Sequence, residues 1–321
     1  MKKKVVALFL VVCLCVSTFS ACGGEKKEEE KDAKVTINIA YQYGMAYAPV
    51  IVMKEKKLIE KYCDNVEINW QVLNSGSAIN EGVIAGDIQV AYMGVAPFIT
   101  AVMKGTPYKL YGGCSTQPMG MMTNDSSIET LADFKGDDKI ALVNVGSIQH
   151  IALAMAAKKE LGDPNAMDDF ISPMAHPDGM QALLSGAVKG HLTSAPYLLQ
   201  EFEDENLHEI PSVREACPNN VIIGTATQDL YDNKPVYDAL VSATQEAMDF
   251  LNDNPEEAAQ LLYENEGLTL EKMTEYLKRD DVDYSLKATT VMSFATFMEE
   301  AAFIDKAPAS LSEIAYDNVE E

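Results

Sequence analysis

Arginine is nearly absent: the 321 residues contain only Arg214 and Arg279. A guanidinium is the side chain best shaped for a bidentate grip on a carboxylate, sulfonate or phosphate, so recognition built on such clamps has little to work with here. Histidine is scarce too, at four, and the six cysteines show no CxxC spacing. That pattern makes neither a zinc site nor a disulfide framework. Cys13 and Cys15 fall in the apolar leading segment, and Cys63, Cys114 and Cys217 allow one disulfide at most; small buried thiols are the simpler reading. No metal and no cofactor is expected. The chain also lacks GxSxG, HExxH, GxGxxG, P-loop and Ser-x-x-Lys patterns. Its many carboxylates are not by themselves a paired general acid and base, so no enzymatic activity is expected. Lys and Arg together number 25 against 49 Asp and Glu, a formal net charge of −24. Such a field repels nucleic acid and anionic lipid, and its ordinary role is solubility.

What the chain does have is a repeat. The stretch 77–98 (SAINEGVIAGDIQVAYMGVAPF) returns at 177–197 (PDGMQALLSGAVKGHLTSAPY), with Gly86, Ile88, Val90, Met93 and Gly94 answered by Gly186, Val188, Gly190, Thr193 and Ser194. Each copy reads as an amphipathic helix ending at a Gly, an apolar strand, and a small-residue turn beside a Pro. Upstream, 37–58 (INIAYQYGMAYAPVIVMKEKKL) and 141–162 (ALVNVGSIQHIALAMAAKKELG) both read as strand, Gly turn, helix. Two units are too few for a solenoid. They predict two similar α/β lobes facing each other across a cleft.

The N-terminus has three lysines, a mainly apolar run from Val5 to Phe19, then Ser20, Ala21 and Cys22. The run is too short for a spanning helix, which needs about 20 apolar residues, and reads as a secretory signal over 1–21. Ser20 and Ala21 before Cys22 resemble a bacterial lipobox, with Phe19 departing from the usual aliphatic residue, so Cys22 is the expected lipidation site. Residues 22–34 then form a charged tether, GGEKKEEEKDAK after the cysteine, that reaches up to ~40 Å when extended.

Strands are expected at 34–41, 66–73, 88–93 and 106–114, with 115–124 as a turn-rich crossing to the second lobe. A short helical piece at 128–134 precedes strands at 139–143 and 170–174, and 221–227 returns the chain to the first lobe. Lobe one is therefore 35–123 with 222–321, and lobe two 124–221, with hinges near 122–127 and 219–225. Helices at 235–251, 255–263, 270–278 and 287–303 are expected to buttress lobe one.

Ligands of open α/β sheets sit where strands end and helices begin, where free amides and the helix dipole favour negative charge. Those places bring forward Gln42, Tyr43, Gly44 and Tyr47 after the first strand, Ser77 as cap or contact, and Gly94, whose small size lets backbone approach. By the repeat, Gly146, Ser147 and Gln149 take the places of Gly44, Met45 and Tyr47, followed by His150, while Ser194 and Tyr197 close the second copy.

The motifs QYGMAYAPVIVMKEKK, GDIQVAYMGVAP, DFKG before KIALVNVGSIQH, ALLSGAVKGHLTSAPY and Asn254-Pro255-Glu256, in this order, resemble the substrate-binding lipoproteins of ABC importers. Within them the chain is similar to the nitrate, taurine and aliphatic-sulfonate branch, which shares its fold with thiamine-precursor binders. The resemblance implies an α/β, two-lobed, type II periplasmic-binding-protein-like fold with a helical C-terminal segment. It further implies a membrane-anchored monomer outside the cytoplasm that hands a small-molecule ligand to a permease and its ATPase. A small anion or a small heteroaromatic compound fits that role, and neither arginine falls in the matched cleft motifs. The alternatives are a surface sensory lipoprotein without transport and an enzyme like the pyrimidine-synthesising one of this fold, whose cysteine-rich iron motif is missing here.

Overall fold

The computed structural model describes residues 34–319. The expected signal segment, the Cys22 lipidation site and the tether up to residue 33 lie outside the described residues. Alternation in VTINIAY buries Ile37 and Ile39 and forms β1 (Val35–Tyr41). A turn at Gly44 and a 3-10 turn lead into α1 (Ala48–Lys56), with Pro49 in the first turn, where a missing N–H is not needed. The helix does not run on through Leu58 as the spacing predicts. Lys57 takes a left-handed φ of 52°, and α2 (Leu58–Tyr62) restarts in a direction that returns Leu58 and Ile59 to the core.

The first half continues as β2 (Val66–Val72), α3 (Gly76–Ala85), β3 (Val90–Gly94) and α4 (Val95–Met103). Then β4 (Tyr108–Thr123) runs for 16 residues, straight through the stretch expected to be a turn. It pairs with one strand up to Pro118 and with another from Met119 on, so the crossing between halves is made inside a strand, earlier than the predicted hinge. Pro118, which has no N–H to donate, stands where the partner changes.

The second half comprises β5 (Ile140–Leu142), α5 (Ile148–Leu161), β6 (Ile171–Pro173), α6 (His176–Leu184), β7 (Gly190–Ser194), α7 (Tyr197–Glu201), β8 (His208–Ile210), α8 (Pro211–Ala216) and β9 (Asn219–Thr227). The short helical piece expected before it is only a 3-10 turn, Leu131–Asp133. The strands form one sheet in the order β2-β1-β3-β9-β4-β7-β5-β6, with β8 also on β4. From the central antiparallel pair β9–β4 the order outward is β3-β1-β2 on one side and β7-β5-β6 on the other. This is the repeat in three dimensions: Ile39 is in parallel register with Val90, as Ile140 is with Gly190. Gly44 and Gly146 both carry positive φ, 113° and 83°.

The C-terminal part adds α9 (Gln228–Asp232), α10 (Lys234–Asp253), α11 (Pro255–Leu262), α12 (Leu270–Leu277), α13 (Val291–Glu300) and α14 (Leu311–Ile314). The apolar face of α10 covers α1 and α2 of the first half. The helix expected from residue 287 starts only at Val291, because the preceding backbone crosses β4. There Gly113 N–H donates to Leu286 O at 2.7 Å, and a Cβ on Gly113 would lie 2.3 Å from Lys287 O. Nor is this segment a buttress of one lobe alone: α13 packs on α4, while Glu300 sits 3.4 Å from Lys158 and Phe303 lies edge-on to His150, both on α5. Among the described residues no helix is long and apolar enough to cross a membrane.

Candidate functional site

Four helices begin at one cavity between the two halves: α3 and α4 from the first, α5 and α6 from the second. Their first-turn amides have no partner within the helix, so each end carries partial positive charge toward that space. The first half contributes Gln42, Tyr43, Tyr47, Gly76, Gly94 and Pro97; the second contributes Val143, Asn144, Ser147, Ile148, Gln149, His176 and Ser194. Asn220 and Ile222 of β9 complete the lining. The halves stand close together, and about 20 Å³ remains for the centres of water molecules, room for one or two waters.

Contacts across the cavity are specific. Asn144 Nδ2 donates to Ser77 Oγ at 3.1 Å, and Asn220 Nδ2 to Ser194 Oγ at 3.2 Å. Gly94 meets Ile148 so closely that a Cβ would lie 3.2 Å from its Cγ2, a contact that Ile148 would have to shift to admit. Gln42 Nε2 donates to Tyr47 Oη at 2.8 Å, holding both on one wall.

His176 sits against Thr193 Oγ1 at 2.9 Å through Nδ1 and stacks on Tyr197, centroids 5.7 Å apart and planes 22° apart. Burial, with the nearby His191, lowers its pKa to about 3, so the imidazole is neutral at physiological pH. Behind it, His191 Nδ1 contacts Glu201 Oε1 at 2.5 Å in a fully buried pair. Burial also raises the Tyr47 phenol well above its usual range. Glu266, in the turn after α11, has its own carboxyl pushed up to about 7 by desolvation. Its charge adds to the burial that raises Tyr41 and Tyr197.

Of the residues singled out from sequence, Gln42, Tyr43, Tyr47, Gly94, Ser147, Gln149 and Ser194 are brought together on the cavity wall. The others are not in the lining. Gly44 packs its Cα side toward Ala195 O. Ser77 is not the cap of α3; Ser75 is, accepting from Ala78 N–H, and Ser77 instead receives Asn144. Gly146 N–H donates to His150 Nδ1 at 3.0 Å, and His150 Nε2 lies 3.1 Å from Asp168, so that imidazole is spent on the turn and turned away from the cavity. Tyr197 backs His176. Ser147 does both jobs, capping α5 through His150 N–H at 3.2 Å.

Sequence reasoning missed Asn144, His176, Gly76, Asn220 and the apolar lining. Carrying the repeat through finds one of them: the spacing that relates Gly44 to Gly146 relates Gln42 to Asn144, while the spacing of Gly94 and Ser194 relates Gly76 and His176 only to each other. Nothing in the sequence marks Asn220, which reaches the cavity because β9 crosses its floor. Among the described residues no cluster of His, Cys, Asp and Glu is arranged to hold a metal, and Cys63, Cys114 and Cys217 are free thiols.

A mixed sheet in two repeated halves, with helix N-termini converging on the space between them, defines a periplasmic-binding-protein fold. The aliphatic sulphonate-binding protein SsuA of Escherichia coli superimposes with a TM-score of 0.68 at 20% identity, over 88% of this chain and 98% of that one. SsuA of Xanthomonas axonopodis pv. citri, an alkanesulfonate-binding protein bound to MOPS, gives 0.71 at 17% identity over the same shares. The nitrate-binding protein NrtA of Synechocystis PCC 6803 gives 0.68 at 15%, over 90% of this chain and 86% of that one. At these identities the likeness establishes the fold. Residues 30–263 match the NMT1-like family, and the chain belongs to it. No curated protein sequence matches.

Proposed function

We propose that the protein is the extracytoplasmic solute-binding component of an ABC importer, anchored by lipid at Cys22, which captures a small polar solute between its lobes and delivers it to a permease and ATPase. The lobes are those expected from sequence, 35–123 with 222–321 and 124–221, with the first boundary drawn back to the partner change of β4 at Pro118 and the second to the start of β9 at Asn219. The observation that carries the reading is the convergence of both halves on one polar, nearly closed cavity, with four helix N-termini directed at it. The sulfonate and nitrate binders that share the fold bring the same role to mind for this chain, with an anion or a small heteroaromatic compound as cargo. The two serine hydroxyls in the lining are engaged by amide donors, Ser147 by His150 N–H and Ser194 by Asn220, and not by a general base, which favours binding over catalysis.

The test pairs uptake with binding. A thermal-shift screen against sulfonates, taurine, nitrate, carboxylates, pyrimidines and aromatic acids should single out one class; ligand at a hundredfold excess over Kd stabilises by ~2.7 kcal/mol. A strain lacking the protein should lose uptake of that same class. A binder whose uptake is unaffected by the deletion would favour a sensory lipoprotein. Cys22→Ala should release the protein from membranes in fractionated cells, and persistent membrane association would refute the anchor.

A further inference from the structure

The cavity carries a hydrogen-bond inventory more specific than its fold. No lining residue is a lysine, arginine, aspartate or glutamate. Its one imidazole, His176, is held neutral. An anion placed here meets no formal positive charge, only the dipole ends of the helices. A cation fares no better, because four helix N-termini present N–H groups and positive dipole ends.

Two acceptors in the lining are left without a donor. Asn220, only 3% exposed, has its Oδ1 buried and unpartnered. Asn144 Oδ1 is likewise buried and unpartnered. The orientation of Asn144 is fixed, since its Nδ2 donates at 2.5 Å to Val145 O, a carbonyl that can only accept. A buried acceptor without a donor costs about 1–3 kcal/mol. Both residues line the cavity, so once the halves part to admit it, a ligand that supplies N–H groups removes that cost, and one that carries only acceptors, as nitrate and sulfonates do, does not.

Resting on the solute-receptor reading above, we infer that the ligand is an uncharged, planar molecule with an amide-type edge, a lactam, imide or ureide. Its N–H groups meet the carboxamide oxygens of Asn144 and Asn220, and its carbonyl oxygens meet the helix amides. Tyr43 and Tyr47 supply aromatic surface beside that edge.

Calorimetry on the purified full chain tests this with three sets of probes: uracil, hydantoin and 2-pyrrolidone; nitrate, ethanesulfonate and benzoate; and choline. The expected result is binding within the first set alone, weakened about tenfold or more by Asn220→Ala and by Asn144→Ala, with both variants melting cooperatively. Binding of an anion or of choline, with the first set silent, overturns the ligand class and leaves the receptor reading in place. Neutral binding that neither variant weakens overturns the assigned contacts. If no probe binds and native mass spectrometry finds no small molecule retained by protein from its own cells, both this class and the receptor reading fall.

Discussion

Replacing Glu266 with glutamine should stabilise the protein, and only above acidic pH. Desolvation raises the carboxyl from the ordinary 4.5 to about 7 in the folded chain. Between those values the folded state binds a proton that the unfolded state does not, so stability falls as pH rises through the window and the full penalty is present above pH 7. A displacement of that size corresponds to roughly 3 kcal/mol. The residue is partly exposed, water screens its charge, and about 1–2 kcal/mol is the figure to expect. For a chain of this length that raises Tm by about 2–5 °C. The assay is unfolding of wild type and Glu266→Gln followed at about pH 8 and about pH 4. Asp125 and Asp133, whose hydrogen bonds hold their carboxyls below the usual range, lose their stabilising contribution in acid in both proteins alike and cancel in the difference. A variant equal to wild type at the higher pH, or one that gains as much in acid, would refute the reasoning.

Gly94→Leu should abolish ligand binding while the protein still melts cooperatively, since even a Cβ there lies 3.2 Å from Ile148 and a larger group wedges the halves apart; unchanged affinity in calorimetry would sink the cavity assignment. Lys57→Gly should stabilise by a few tenths to ~1 kcal/mol in chemical denaturation, because the left-handed φ of 52° costs a side-chain-bearing residue more than glycine. Phe98→Ala should cost about 3–5 kcal/mol, the ring being fully buried and stacked 5.7 Å from Tyr108; a loss under ~1 kcal/mol would mean that the site collapses freely.

Much of this architecture is legible from residues alone. Alternation places β1, apolar runs mark β2 and β9, helical spacing with a closing glycine places α5, and the repeat announces two halves. The misreadings have physical causes. Pro118 and Gly120 in a methionine-rich run look like a turn, yet a proline is tolerated where β4 changes partners. Lys57 ends α1 without the glycine that usually marks such a cap. The stretch before α13 has helical spacing, but its backbone is taken up by hydrogen bonds to β4. At the cavity, strand-end residues were visible because local pattern places them. His150 was drawn in by proximity, although its ring nitrogens are committed to Gly146 and Asp168. Asn220 arrives from a strand remote in sequence, and only tertiary pairing reveals it.

The exchange of strands at the centre of the sheet has a consequence for how the chain is made. The inner edge of β3 is covered by β9, with Val90 opposite Ala226, so the first half waits for a strand from the far side of the second. Until β9, which ends at Thr227, has joined the sheet, an apolar strand edge stays open, and neither half can be completed as a separate folding unit. Pairings so distant in sequence slow folding and favour an all-or-none final step. A chain of this design is exposed to strand-edge association until that strand is in place.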